Sequence, residues 1–599
     1  MQVDFKKWLA FFSKVQGLKD KYLTQQQFVI VLSVVIGFMA GLVALLLKNL
    51  SYFIQWLING SYVGFYHNRY YFIFPLIGLF LVYLIIKYAF KKEVEQGIVG
   101  TLQTISKKKS LVDRFHQYAS LITAPLTVGF GGSVGLEAPT VITGASYASF
   151  LSRTFRLNQA TRTLLVGCAA AGAMASIFKA PIAGIIFAIE IFSLDLTLAS
   201  MIPLLTASVS AILTSYFFLG NETILQSVIT EDFDPKDTPF YVLLGLFAAF
   251  ISIYFTKLYY FAVRHFKKIN HKILRVLVGG VSISILVLLM PALYGEGYEV
   301  INQLMKNDFS QAISGPIYDW VKDSAWLVIA ALLALLILKT LATSLTVAAG
   351  GVGGIFAPVL FMGSLMGHSF GLFLSQLGVV DKETSVTNFT LVGMAGLMAG
   401  VMHAPLTAIF LIAEITSGYV LFIPLMITAG ISFFVTSQYQ KHSVYTLELA
   451  ENDELVTHNK DQTVLTLMDI NNVVERSFTS VNIHGKLRDV VEKGVTKSSR
   501  NIFPVVDNQN KFLGIILLDD IRGIMFDQNM YDQVFVSDLM HQAPEIIDIE
   551  KTKMKDIMLK FQQSDAWNLP VVKNGIYEGF ISKSKLLTAY RQKLIEVTV

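Results

Sequence analysis

The chain has 599 residues, 53% of them hydrophobic and only 15% charged, with a mean hydropathy of +0.55. Soluble domains carry nearer ~25% charged residues, so a wholly water-soluble protein is excluded. The net charge of +5 is small for this length and argues against nucleic-acid binding, and a single cysteine, Cys168, excludes an internal disulfide.

Five lysines (Lys6, Lys7, Lys14, Lys19 and Lys21) precede the first long apolar segment, residues 28–47. That segment is too long for a signal peptide and lacks a small-residue cleavage pattern, so it reads as a retained span. Its lysine-rich flank places residues 1–24 on the cytoplasmic side. Apolar segments then recur to about Tyr445, residues 325–345 among them, each near the ~20 residues that cross a hydrocarbon core. Beyond Tyr445, short β-branched runs alternate with charged amphipathic stretches, the texture of a soluble domain.

Within the membrane region one pattern occurs twice. GLEAP (135–139) has a counterpart in GIFAP (354–358), and APIAGIIFAIEI (180–191) has one in APLTAIFLIAEI (404–415). Pro181 precedes Glu190 by the same interval as Pro405 precedes Glu414, and the two motifs keep nearly equal spacing in both copies. Two matches in the same order indicate an internal repeat, about 25–230 and 240–450. Repeats of this kind build many transporters, with the substrate held at their interface by broken helices. Gly-x-x-Ala-Pro before an apolar run is a fitting start for such a helix. Glycine permits close approach, and proline belongs in a first turn, where its missing N–H is no loss. Two such starts aim free N–H groups and positive dipole ends into the interior, which makes an anion site without a formal charge.

Glu137 stands at one of these starts. Its carboxylate can occupy the anion site as a tethered substitute, blocking the path when ionised and opening it when protonated or swung aside. The plainer alternative is a first-turn glutamate that complements the dipole. Intramembrane carboxylates are rare and functional by default, which favours the gate.

These motifs resemble those of the CLC family of chloride channels and chloride/proton antiporters. GLEAP is similar to the family's G-x-E-x-P motif and GIFAP to its G-x-F-x-P motif. KAPIAGIIFAIE and HAPLTAIFLIAE resemble its paired A-P…E helices, and KHSVYTLELA (441–450) the segment with its pore tyrosine. The resemblance covers about residues 25–450. It implies a polytopic α-helical membrane protein with an inverted-repeat CLC-type fold, forming a homodimer with an anion pathway in each subunit. Glu137 is then the external gate. Ile355 and Phe356 through their backbone N–H groups, Tyr445 through its hydroxyl, and Gln96 with Gly97 would bind the central anion. Outside that context, a tyrosine ending an apolar stretch more often belongs to the interfacial belt.

Three features depart from the family pattern. The G-S-G-I-P loop aligns with EQGIV (95–99), so Gln96 replaces the serine and Val99 the proline. A glutamine amide still donates hydrogen bonds, with a different reach, which bears on selectivity. Leu136 stands where a basic residue often precedes the gate. The inner proton-accepting glutamate of the antiporters is Ile191 here, directly after Glu190. Asp195 shares a face with that position if the helix continues, and is then a candidate inner proton site; the alternative is a solvated residue at a helix end. The matched positions of Glu190 and Glu414 suggest structural bonding to backbone ends.

Residues 451–599 contain a second repeat, about 462–525 and 535–599. NIFPVVDNQNKFLGIILLDDIRG (501–523) parallels NLPVVKNGIYEGFISKSKLLTA (568–589), each preceded by an amphipathic helix. This resembles a pair of CBS modules, an α/β unit that often binds adenine nucleotides. Of the family's ribose-binding pattern the first half keeps Asp520 and the second Ser582. A structural module and a nucleotide sensor stand level.

The expected function is chloride or similar anion transport across the cell membrane, with both termini cytoplasmic, no required cofactor, and passive or weakly proton-coupled conduction. The alternatives are a chloride/proton antiporter with a non-standard inner proton site, or selectivity for fluoride or nitrate. A membrane-embedded enzyme is disfavoured by the absence of nucleophile and metal-ligand motifs. A cation carrier would line its path with several carboxylates.

Overall fold

A computed structural model describes residues 22–598, apart from 60–69, 226–232, 453–463 and positions 96, 108, 222, 311, 314–315, 381, 417 and 466–467. The five N-terminal lysines and Gln96 therefore lie outside the described residues. The chain forms two compact units, dividing after Leu455.

Backbone in hydrocarbon must satisfy its own N–H and C=O groups, so the apolar runs of the first unit become helices. Among the described residues nine are long and apolar enough to cross a membrane, from Gln25–Ile58 to Phe422–Tyr439. Small residues let them pack closely. In the Gln159–Phe178 helix Ala169, Ala170, Ala171, Ala173 and Ala175 are all fully buried.

Pro181–Phe192 and Pro405–Ile415 are too short to span, each opening on its proline. The residues leading into them, Lys179 and His403, both take the left-handed conformation, with φ of 54° and 55°. That reverses the chain from the helix before. The short helices then cap one another. The Glu190 carboxylate accepts the N–H groups of Leu406 (3.0 Å) and Thr407 (2.7 Å) and the Thr407 hydroxyl (2.6 Å). Glu414 accepts those of Ile182 (3.0 Å) and Ala183 (2.8 Å) in return. Orphan donors at each helix start are thus met by the carboxylate ending the other, the structural bonding expected of this pair.

The second unit repeats one topology twice. Strands β1 (Val481–Asn482), β2 (Ile502–Val506) and β3 (Phe512–Leu517) form one sheet, and β4 (Ile547–Asp548), β5 (Asn568–Lys573) and β6 (Ile576–Ser582) another. In each, the short first strand runs parallel to the second and the third is antiparallel, with a register shift at Val505/Val506 and Val571/Val572. Inward residues such as Phe503, Val505, Leu569 and Val571 are fully buried and form the cores.

Candidate functional site

The two Gly-x-x-Ala-Pro loops meet. Gly135 donates to the carbonyl of Gly354 at 2.8 Å and Gly354 to that of Gly135 at 2.7 Å, an isolated antiparallel bridge joining the repeats. Flanking bonds keep the symmetry. Ser133 N–H donates to the Thr346 hydroxyl (3.2 Å) and Val352 N–H to that of Thr127 (3.1 Å). From this bridge run the Glu137–Thr154 and Phe356–Gln376 helices, whose prolines, Pro139 and Pro358, fall in the first turn.

Glu137 is 1% exposed. One carboxylate oxygen, Oε1, accepts the hydroxyl of Tyr298. The other, Oε2, is buried and has no hydrogen-bond partner among the described residues. The side chain folds back over Gly135, where a Cβ would lie 2.1 Å from Oε2, so only glycine leaves room for it. It also comes close to Ala357 in the first turn of the Phe356 helix, whose Cβ lines the same spot. The carboxylate is thus held where free N–H groups and a positive dipole end converge.

Ile355 and Phe356 stand at that opposing start, their N–H groups ahead of any carbonyl the helix can offer. The fully buried Phe356 ring packs on Phe178 at 5.2 Å and Phe187 at 6.3 Å. Tyr445 is buried, its hydroxyl without a hydrogen-bond partner among the described residues, and close enough to Glu137 for the two to interact electrostatically. Its backbone is pinned from beside: Val444 bonds Val401 (3.2 Å), and the Tyr260 hydroxyl donates to the Val444 carbonyl (2.8 Å). Gly97 opens the Gly97–Lys107 helix against the Glu137 helix, where a Cβ would lie 2.2 Å from the Ala138 carbonyl oxygen. The structure thus brings together Glu137, Gly97, Ile355, Phe356 and Tyr445.

Asp195 is not on the face of Ile191. The Pro181 helix ends at Phe192 because Ser193 turns left-handed (φ 52°), and Asp195 lies exposed in the loop beyond. The helix continuation on which that inner site depended is absent. Ile191 is buried.

Two charged residues at the site escaped the sequence reading. Glu296 accepts the N–H of Leu136 at 3.0 Å, one residue before the gate, and Lys339, fully buried, donates to the Gly295 carbonyl at 2.9 Å. A signal existed for both. Glu296 is flanked by glycines as Glu137 nearly is, and Lys339 interrupts the apolar run 325–345.

In the second unit Asp520 accepts the Leu517 N–H (2.9 Å) and lies 3.3 Å from His541 Nε2. Ser582 donates to Glu475, which also pairs with Arg500. Both candidate ribose contacts are engaged by the protein's own groups, and the Glu475 carboxylate beside Ser582 is a poor neighbour for a phosphate. These residues do not fit a nucleotide as they stand.

A family model described as voltage gated chloride channel matches residues 77–437, and a CBS domain model matches 469–527. The chain is 26% identical over 483 residues to the chloride channel protein CLC-e of Arabidopsis thaliana, across 71% of this chain and 66% of that one. It is 29% identical over 311 residues to the H(+)/Cl(-) exchange transporter ClcA of Vibrio cholerae, across 50% of this chain and 62% of that one. The match thus spans just under two thirds of these relatives. Among solved structures, a slow cyanobacterial Cl-/H+ antiporter superposes with a TM-score of 0.60 at 19% identity, covering 72% of this chain and 98% of that one. A eukaryotic CLC transporter superposes with a TM-score of 0.56 at 16% identity, covering 93% and 97%. Such identities speak to the fold, an inverted-repeat membrane domain of broken helices followed by an α/β CBS unit. With that family model matched across most of the membrane region, and the loops carrying its motifs bonded to each other, the chain is a multi-pass membrane protein of the voltage gated chloride channel family, the CLC anion transporters.

Proposed function

We propose that the protein conducts chloride through a pathway gated by Glu137, passively or with weak proton coupling. The observation that carries this reading is the Glu137 carboxylate itself: buried, one oxygen held by Tyr298, the other without a side-chain partner among the described residues and set against the first turn of the Phe356 helix at Ala357. An anion and this carboxylate compete for the same N–H groups and dipole ends, so the ionised side chain closes the path and its displacement opens it. Tyr445 and the N–H groups of Ile355 and Phe356 bind the anion beneath it. Gln96 tunes which anion is preferred.

Weak coupling is favoured because the inner end of the Pro181 helix offers Ile191, with Asp195 exposed beyond the helix. The second reading, chloride/proton exchange, is supported by relatives such as ClcA, named an exchanger. Selectivity for fluoride or nitrate follows if Gln96 outweighs the shared helix starts. We place the protein in the cell membrane as a homodimer, with both termini cytoplasmic, on the lysine-rich flank and the family resemblance.

The gate is tested with Glu137→Gln in liposomes. The neutral amide cannot compete as an anion, so chloride flux is expected to persist and to lose its dependence on external pH. A folded Glu137→Gln protein with no flux overturns the assignment.

A further inference from the structure

Beside the gate lies a cavity of about 30 Å³, room for about one water, lined by Glu137, Glu296, Lys48, Lys179, Tyr52 and Tyr298. It adjoins the Glu137 side chain, and on the proposed gating it is the space toward which a displaced carboxylate turns. Two lysines line it: the Lys179 ammonium is taken up by the Gly220 carbonyl and the Tyr216 ring, whereas Lys48, over the Tyr52 ring, acts on Glu296. On charge alone Lys48 would draw an ionised Glu137 out of the anion path and hold the path open without a proton.

Glu296 stands against that. It comes from the loop before the Tyr298–Met305 helix, between Gly295 and Gly297, both with positive φ (66° and 91°). The loop is fastened on several sides. Gly295 N–H donates to the Gly131 carbonyl at 3.2 Å, Lys339 holds the Gly295 carbonyl, and Tyr298 reaches Glu137. Lys339 in turn lies 4.7 Å over the Phe361 ring. So anchored, the Glu296 carboxylate is set at the start of the Glu137 helix, on the Leu136 N–H. The charges acting on it come from Glu137, from Lys48 on the Gln25–Asn59 helix and from Lys339 on the Ala325–Ala348 helix. Lys179, Tyr52 and Tyr298 complete the ring around the cavity.

We propose that Glu296 is a second carboxylate of the outer gate, a positioning residue that cancels the pull of Lys48 and repels an ionised Glu137, so that the gate enters the cavity only with a proton. Glu296 never touches the anion below the gate; it sets the condition for opening. The inference rests on the Glu137 gate and deepens it: the ligand admitted together with the displaced carboxylate is a proton from the outer solution.

The test is Glu296→Gln, whose amide oxygen still accepts the Leu136 N–H while the charge is gone. Chloride flux is recorded against external pH. At alkaline pH, where the normal gate is shut, flux is expected to rise about tenfold, with the acid plateau unchanged. Adding Lys48→Gln is expected to reverse the rise, since the attracting cation is removed with the repelling anion. If Glu296→Gln does not assemble, Glu296→Ser removes the charge with less bulk and carries the same expectation. Alkaline flux that stays at the wild-type level, or falls, overturns the proposal, as a purely structural cap would give. The two readings fail separately: a pH-dependent Glu137→Gln sinks the gate, whereas a pH-independent Glu137→Gln beside an unaltered Glu296→Gln sinks only the role of Glu296.

Discussion

A buried phenol without a hydrogen-bond partner costs about 1–3 kcal/mol relative to a satisfied one, so the Tyr445 hydroxyl is a liability unless it serves a ligand. Tyr445→Phe removes the hydroxyl and leaves the ring. Thermal unfolding is expected to stay level or rise slightly. The chloride concentration giving half-maximal flux is expected to increase about fivefold, the loss of one hydrogen bond to an anion worth ~1 kcal/mol. An unchanged chloride dependence with a lowered unfolding temperature would assign the hydroxyl to folding instead. At this scale the sequence was most legible where a residue's chemistry clashed with its neighbours, as with Glu137 among glycines, whereas Tyr445 read on its own as an interfacial belt residue and took a pore role only through the family resemblance. It was less legible where partners are distant in sequence. That Glu296 bonds Leu136 depends on a loop arriving from the other repeat, which no local pattern encodes. Lys339 went unread although it interrupts an apolar run, and its carbonyl partner, Gly295, lies far off in sequence.

Elements were easier to read than their ends. The helix starts follow from glycine and proline chemistry, and the repeat exposed them twice over. The stop at Ser193 did not announce itself, because serine takes the left-handed conformation there without a glycine to mark it. That single residue moved Asp195 off the helix. Glu190 and Glu414 show the reverse case, in which pattern symmetry alone led to the correct role. Each carboxylate meets at least two N–H donors of the opposite helix start, so Glu190→Ala leaves three donors unmatched, the Thr407 hydroxyl among them. At roughly 1 kcal/mol or more per lost charge-assisted bond, the variant is expected to lose about 2–4 kcal/mol of stability in detergent. Glu414→Ala loses fewer bonds and is expected to lose less. Because the two caps close one ring, the double variant should cost less than the two single losses added together. Strict additivity, measured by unfolding in the same detergent, would show that the caps act independently.

For the whole molecule the open issue is what crosses with the anion. A proton moving against or with chloride needs a titratable station at each end of its route. The outer end has two carboxylates, Glu137 and Glu296, set on consecutive residues of one helix start by Tyr298 and the Leu136 N–H. At the end of the Pro181 helix Phe187, Ile191 and Phe192 are buried, and the one carboxylate there, Glu190, is taken up by the N–H groups of Leu406 and Thr407. A path whose titratable groups stand at the gate, and whose other carboxylate is engaged as a helix cap, can use protons to open a gate without carrying them through. In the proposed mechanism the outer pair supplies pH-dependent opening and the absence of a carboxylate at position 191 supplies weak coupling, both set by where carboxylates stand relative to two helix starts. With an outward chloride gradient across proteoliposomes and a pH electrode in the bath, chloride efflux is expected with little or no uphill proton movement. Asp195→Asn is expected to change neither flux, since the residue lies exposed beyond the helix. Proton pumping at a fixed ratio to chloride would overturn passive conduction. If Asp195→Asn then abolished pumping while sparing chloride efflux, the loop after Ser193 would be the inner station, reached through water and not along the helix face.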